Sequence, residues 1–261
     1  MTFKTALLSA AAIAAAGALG YSLMSSGTAQ QKIAVEDREV IEQIIREYLV
    51  ENPQVVIDAL DRYSELEALR AEAEAMAGLD VHLDTLISGV DGFADGAPAS
   101  EAKVYVIELF DYHCGFCKQA TEYVYDLLAE EDDVRVVFRE LPILREESDY
   151  AAMAALAARD QDKYSELHFA MMDASGILTP ERIASIAADI GIDVEAMTNT
   201  IDASGYDAVL ARTRDIAIDL GVTGTPAFVI ASADGSYSRM ISGWQPETLS
   251  QSIEEARKSA S

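Results

Sequence analysis

The sequence predicts an α/β fold in which a mixed sheet is interrupted by a block of helices and preceded by a helical arm. Three observations carry this expectation. Residues 104–110, Val-Tyr-Val-Ile-Glu-Leu-Phe, are a β-rich and mostly apolar run of the kind buried in the middle of a sheet. A helical pattern through Ala120, Tyr123, Val124, Leu127 and Leu128 follows, then a second such run from Val134 to Phe138 that ends at Leu141-Pro142, which makes a strand–helix–strand unit. Residues 147–220 read as helical almost throughout before strand patterns return at Ala227–Ile230 and Tyr237–Ile241. At 261 residues the chain is long enough for one sizeable domain and an extension.

Taken from the start, Lys4 is followed by an alanine-rich apolar stretch with no further charge until Lys32. Small residues at Gly27-Thr28-Ala29 complete the pattern of a secretory signal over residues 1–29, cleaved after Ala29 or kept as an anchor. Either outcome places the rest of the chain outside the cytoplasm, where cysteine pairs can be oxidised. Residues 36–52 then carry Val40, Ile41, Ile44, Ile45, Tyr48 and Leu49 at helical spacing. Asn52-Pro53 interrupts the pattern, and a second helix is expected from about Pro53 to Ala77, with Val56, Leu60, Tyr63 and Leu66 near one face. Gly78 is expected to end it, with a short strand at 81–88 and a Gly/Asp/Pro loop from Gly89 to Ser100. The apolar stripes of the 36–77 arm must be covered, either by the arm folding back on its own chain or by arms of several copies packing together. Further on, Thr179-Pro180-Glu181 starts a helix, Gly191, Gly205 and Gly221 mark breaks, Asp234-Gly235 turns a hairpin and Pro246 opens a last helix.

The chemistry centres on Cys114-Gly115-Phe116-Cys117, placed between the first strand and its helix. A sulfur at a helix N-terminus meets unpaired backbone N–H groups and the positive end of the dipole, which favour the thiolate of Cys114 as nucleophile. Cys117, one turn further in, is expected to be more buried and to resolve a mixed disulfide. Gly115 and Phe116 carry no charge, and His113 either helps the thiolate when protonated or stands by exposed. A purely structural disulfide across so short a loop would be strained. A structural zinc site would have to recruit two of His82, His113 and His168, so redox exchange is the expected use of the pair. A Cu(I) site on the two thiolates stays open. Gly224-Thr225-Pro226 is a second feature: an ordinary strand start by itself, or a cis X–Pro bond. Lys and Arg total 19 against 45 Asp and Glu, a net charge of -26, so nucleic acid is not an expected partner.

Two segments, Phe110-Asp111-Tyr112-His113-Cys114-Gly115-Phe116-Cys117-Lys118 and Gly224-Thr225-Pro226-Ala227-Phe228, give the chain a resemblance to the DsbA-like thioredoxin-fold family over roughly residues 100–257. The resemblance implies a thioredoxin fold over 78–261, an inserted helical subdomain of about 143–220 and an N-terminal helical arm. It implies that Pro226 is cis beside the cysteines, that the Thr225 backbone pairs with the substrate chain, and that Phe116 and His113 border the substrate. Glu108, six residues ahead of Cys114, would be the buried acid that relays the Cys117 proton. No cofactor is implied beyond a redox-active Cys114–Cys117 disulfide.

The neutral Gly-Phe dipeptide, Thr before the proline and the segment Ile45 to Pro53 look closer to the Com1/ScsC-like subgroup than to the oxidase with Pro-His between its cysteines. That points toward an isomerase or reductase of cysteine-containing envelope proteins in the periplasm, served by a membrane redox partner of DsbB or DsbD/ScsB type. It also points to a homo-oligomer through residues 36–77, and it keeps the copper alternative and a DsbA-type oxidase in view.

Overall fold

The computed structural model describes residues 35–203 and 206–260, so the expected signal at 1–29 and Gly205 lie outside the described residues. The chain divides into two compact units, one ending at Ser64 and the other beginning at Glu65.

In the first unit, α1 (Val35–Glu51) is followed by the start of α2 (Gln54–Ser88). The break falls at Asn52-Pro53 as expected. Asn52 turns both its backbone N–H and its side-chain amide onto the Tyr48 carbonyl, at 2.8 and 2.9 Å, and so closes α1. Val40, Ile44 and Tyr48 of α1 and Leu60 and Tyr63 of α2 are each more than half exposed.

The second unit is built on a five-stranded sheet of order β1-β3-β2-β4-β5. Its strands are β1 (Phe93–Gly96), β2 (Val104–Phe110), β3 (Val134–Glu140), β4 (Ala227–Ser232) and β5 (Ser238–Ser242). β2 and β3 are parallel, joined through α3 (Gly115–Glu130), and the other pairs are antiparallel. β2 is central and buried at every residue, Glu108 included, as its mostly apolar run predicts.

Alternation along β2 sorts its side chains onto two cores. Val104, Val106 and Phe110 join Cys117 and Val124 of α3, Leu249 and Ile253 of α9 (Pro246–Ser259), and the inserted helices. Tyr105, Ile107 and Leu109 face Leu79 and Leu86 of α2 with Ile216 and Leu220 near the end of α8 (Tyr206–Asp219). Between β3 and β4 lie α4 (Glu146–Ala158), a 3-10 turn (Arg159–Gln161), α5 (Tyr164–Asp173), α6 (Pro180–Asp189), α7 (Val194–Ala203) and α8 (Tyr206–Asp219). Thr179 caps α6 by accepting the Arg182 N–H, with Pro180 in the first turn. No helix among the described residues is long and apolar enough to cross a membrane.

Two expectations are corrected. Gly78 does not end a helix, and residues 81–88 are not a strand, because α2 runs unbroken to Ser88. A Cβ on Gly78 would stand 2.4 Å from the Asp219 carbonyl oxygen, so this glycine admits the end of α8 against α2. The segment from Gly89 to Ser100, expected to be a loop, contains β1. Its glycines serve close approach: a Cβ on Gly92 would lie 2.2 Å from the Phe138 carbonyl, and Gly96 has φ +84 against β3.

Candidate functional site

Cys114 is the N-cap of α3, with extended backbone (φ -79, ψ 119), and its sulfur accepts the Cys117 N–H at 3.4 Å. In the thiol form Sγ–H also donates to the Thr225 carbonyl at 3.0 Å. Thr225 precedes Pro226 through a cis peptide bond. Both cysteines are free thiols, Cys114 5% exposed and Cys117 fully buried.

The two thiols are driven apart in acidity. Cys114 is drawn down from 9.0 to about 5, first by its hydrogen bond with the Cys117 side chain, then by Thr225 and the backbone N–H groups of Cys117 and Phe116, against the opposing effect of burial. Cys117 is pushed far up, first by burial, then by the same sulfur–sulfur hydrogen bond and by the charge of Glu108. Glu108 itself lies in β2, 2% exposed and in phase with the side chains that face α3. Burial, and then the charge of Cys114, raise its carboxyl from 4.5 to about 8. A ready nucleophile, a masked second thiol and a buried acid coupled to both therefore share one side of the sheet.

His113 is not the exposed bystander that sequence left open. Its side chain is 4% exposed, with Nδ1 on Ser148 Oγ at 2.9 Å and Nε2 accepting the Leu178 N–H at 3.0 Å. Burial lowers its pKa from 6.5, which opposes the role of a charged helper. Phe116 is 60% exposed beside the nucleophile.

Several residues around the site had no assigned role in the sequence. The Asp111 carboxyl accepts from the His113 N–H and Ser148 Oγ on one oxygen, and from the Ile143 and Leu144 N–H groups on the other. Lys118 closes the end of α5, its ammonium donating to the carbonyls of Met171, Met172 and Ala174 at 3.0, 2.8 and 2.7 Å. Behind the site, the Tyr112 and Tyr164 hydroxyls donate to Glu140 Oε1 at 3.2 and 2.7 Å, and Tyr112 also meets His168 Nδ1 at 3.1 Å. Burial raises the Glu140 carboxyl well above the carboxylate range and lowers His168 to about 3. The only forward signal for these residues is an Asp and a Lys flanking the cysteine motif; apart from the His113 N–H, their partners are 24 to 56 residues away in sequence.

The three histidines go to separate places, His82 to Asp219, His113 to Ser148 and His168 to Tyr112. Among the described residues no group of three or more histidine, cysteine or carboxylate side chains is arranged to hold a metal ion.

A sheet of this order, with a reactive thiol capping the helix after its central strand, is that of the thioredoxin-fold oxidoreductases. Within that class the chain belongs to the DsbA-like family: a family model described as the DSBA-like thioredoxin domain matches residues 105–254. A second, the copper resistance protein ScsC N-terminal domain, matches residues 37–73. The crystal structure of a thioredoxin-like oxidoreductase from Silicibacter pomeroyi is 36% identical, with a TM-score of 0.61, covering 67% of this chain and 97% of the other. The thiol-disulfide exchange protein α-DsbA2 from Wolbachia pipientis is 26% identical, with a TM-score of 0.62, covering 72% and 97%. Among curated proteins, Na(+)/H(+) antiporter NhaA 1 from Salinispora arenicola is 30% identical over 171 residues, 64% of this chain. The chain spans only 26% of that relative's length.

Proposed function

We propose that this oxidoreductase is exported to the periplasm and reduces or isomerises disulfides in cysteine-containing envelope proteins. The observation that carries the reading is the opposed acidity of Cys114 and Cys117 at one helix start. At neutral pH Cys114 is a thiolate and attacks one sulfur of a substrate disulfide, forming a mixed disulfide and releasing the other sulfur as a thiolate. The Cys114 charge is then gone, and with it the smaller of the two causes that hold Glu108 up; Glu108 releases its proton to water, and the carboxylate so formed takes the Cys117 proton. Cys117 then attacks Cys114 Sγ, which frees the second substrate thiolate and leaves the enzyme as a disulfide. In isomerisation a substrate thiolate makes that attack instead, and the enzyme returns to the dithiol.

No prosthetic group takes part; the redox-active Cys114–Cys117 pair carries both electrons. Thr225 and the cis-proline loop, held against the Cys114 sulfur, are the place for a substrate backbone, with the exposed Phe116 at its border. Re-reduction falls to a membrane partner of DsbD/ScsB type, whereas a DsbB-type partner would serve an oxidase. Exposed apolar residues on the arm, together with its match to the ScsC N-terminal domain, support a homo-oligomer formed through residues 36–77.

In a mixed-disulfide trapping assay, Cys114→Ser is expected to abolish exchange and Cys117→Ser to accumulate the covalent intermediate. Full activity without Cys114 would overturn the mechanism. Recovery of the pair mostly oxidised from cells would reassign the direction to an oxidase. The match to a copper resistance domain supports a second reading, Cu(I) held by the two thiolates. Titrating Cu(I) into the reduced protein with a Cys117→Ala control tests it, and absence of tight binding would dismiss it.

A further inference from the structure

Four hydrogen bonds around His113 admit one consistent arrangement of protons. A backbone N–H can only donate, so the Leu178 amide fixes His113 Nε2 as the acceptor at 3.0 Å. The neutral ring then carries its proton on Nδ1 and gives it to Ser148 Oγ at 2.9 Å. Ser148 passes its single hydroxyl hydrogen to Asp111 Oδ1 at 2.8 Å. That oxygen also accepts the His113 N–H at 2.8 Å. Oδ2 of Asp111 takes the Ile143 and Leu144 amides at 2.9 and 3.0 Å. Asp111, His113 and Ser148 thus form a donor chain running one way, from Leu178 to Asp111.

The chain joins three segments distant in sequence. Asp111 and His113 lie on the short loop that presents Cys114, and Cys114 itself donates its backbone N–H to the Asp111 carbonyl at 2.9 Å. Ile143, Leu144 and Ser148 belong to the entrance of the helical insertion, and Leu178 to the loop between α5 and α6. Around these fixed amides the side chains of Ile143, Leu144 and Ile177 stand 44 to 49% exposed.

We propose that His113 is a positioning residue, a neutral strut that with Ser148 and Asp111 fixes two loops of the helical insertion against the loop of the nucleophile. The inference rests on the exchange reading and deepens it by naming what sets the register between thiol and substrate-facing loops. A charged ring would turn an N–H onto the Leu178 N–H and break the chain. The charged groups facing the ring are divided, Asp111 and Glu147 favouring its charged form and Arg145 and Lys118 disfavouring it, and burial, the largest influence, tips the balance to the neutral ring.

Nitrogen-15 NMR of the histidine-labelled full chain reads the strut directly. The expected result is Nδ1 protonated and Nε2 bare at about pH 7, persisting below the ordinary histidine midpoint of about 6.5. A proton on Nε2, or a charged ring at about pH 7, would overturn the proposal. Function is read by comparing His113→Ala, Ser148→Ala and the double variant in two assays. Turnover of a peptide disulfide is expected to fall roughly tenfold in each, and no further in the double variant, because the residues act as one unit. The pH midpoint for alkylation of Cys114 by a small electrophile is expected to stay within about 0.3 units, since the strut adds no charge. A larger midpoint shift in His113→Ala would show the histidine acting through charge, and unchanged turnover in both single variants would show that it positions nothing. Failure of the unaltered protein to exchange disulfides would refute the enzyme reading instead, while the tautomer would still decide the strut.

Discussion

Cys114 and Glu108 are the residues at which local chemistry and folding energy meet. A carboxyl raised from 4.5 to about 8 binds its proton more tightly in the folded chain than in the unfolded one. Between those values the native state holds the extra proton, so this group makes stability fall as pH rises through the window, with no penalty below it. Glu108→Gln removes the ionisable group. The variant is expected to match the parent near pH 4 and to exceed it at pH 7 by on the order of 3 kcal/mol, read from urea unfolding at the two pH values. Cys114, drawn down to about 5, gains stability over much of the same range in both proteins and cancels to first order in the difference. An equal difference at both pH values would refute a buried, titrating Glu108. The same variant is expected to slow release of the mixed disulfide, because Cys117 loses its proton acceptor. The cysteine pair could be read from sequence because its chemistry depends on spacing along one helix. Ser148 could not, since it reaches Asp111 from 37 residues away and nothing in its neighbours marks it.

At the scale of elements, the strands and helices of the insertion follow periodicity, and the two errors both fell on glycines. Composition treats glycine as a breaker, yet Gly78 sits inside α2 and Gly92 leads straight into β1. What decides each is a backbone from elsewhere in the chain, Asp219 at one and Phe138 at the other, which only the folded arrangement brings near. Gly78→Ala weighs the two influences against each other. Helix propensity alone would stabilise the variant by about 1 kcal/mol. A Cβ placed 2.4 Å from a carbonyl oxygen must instead push α2 and α8 apart, an overpacking cost of about 1–3 kcal/mol. The variant is therefore expected to be less stable by up to about 2 kcal/mol, with Gly115→Ala as a thermal-unfolding control, because nothing lies within 4 Å of the Cβ added there. A more stable Gly78→Ala protein would mean that helix propensity governs and the close approach to Asp219 does not constrain the fold.

For the whole molecule the governing tension is between charge and the apolar arm. A net charge of -26 makes copies of the chain repel one another. Yet Ile44, Tyr48, Leu60 and Tyr63 stand more than half exposed, and covering what remains open of each is worth on the order of 1 kcal/mol. The proposed self-association through the arm would have to win by apolar burial against electrostatic repulsion, which fixes the sign of its expected salt dependence. Raising salt from about 0.05 to about 0.5 M shortens the Debye length from more than 10 Å to less than 5 Å and screens the repulsion, so association is expected to tighten. Ile44→Glu with Leu60→Glu in the full chain removes part of the apolar gain and adds charge, so the mass measured by sedimentation equilibrium is expected to fall to that of one chain. Association that weakened with salt would show that ion pairs rather than apolar burial hold the copies together. A single-chain mass for the unaltered protein at both salt concentrations would rule out an oligomer formed through residues 36–77.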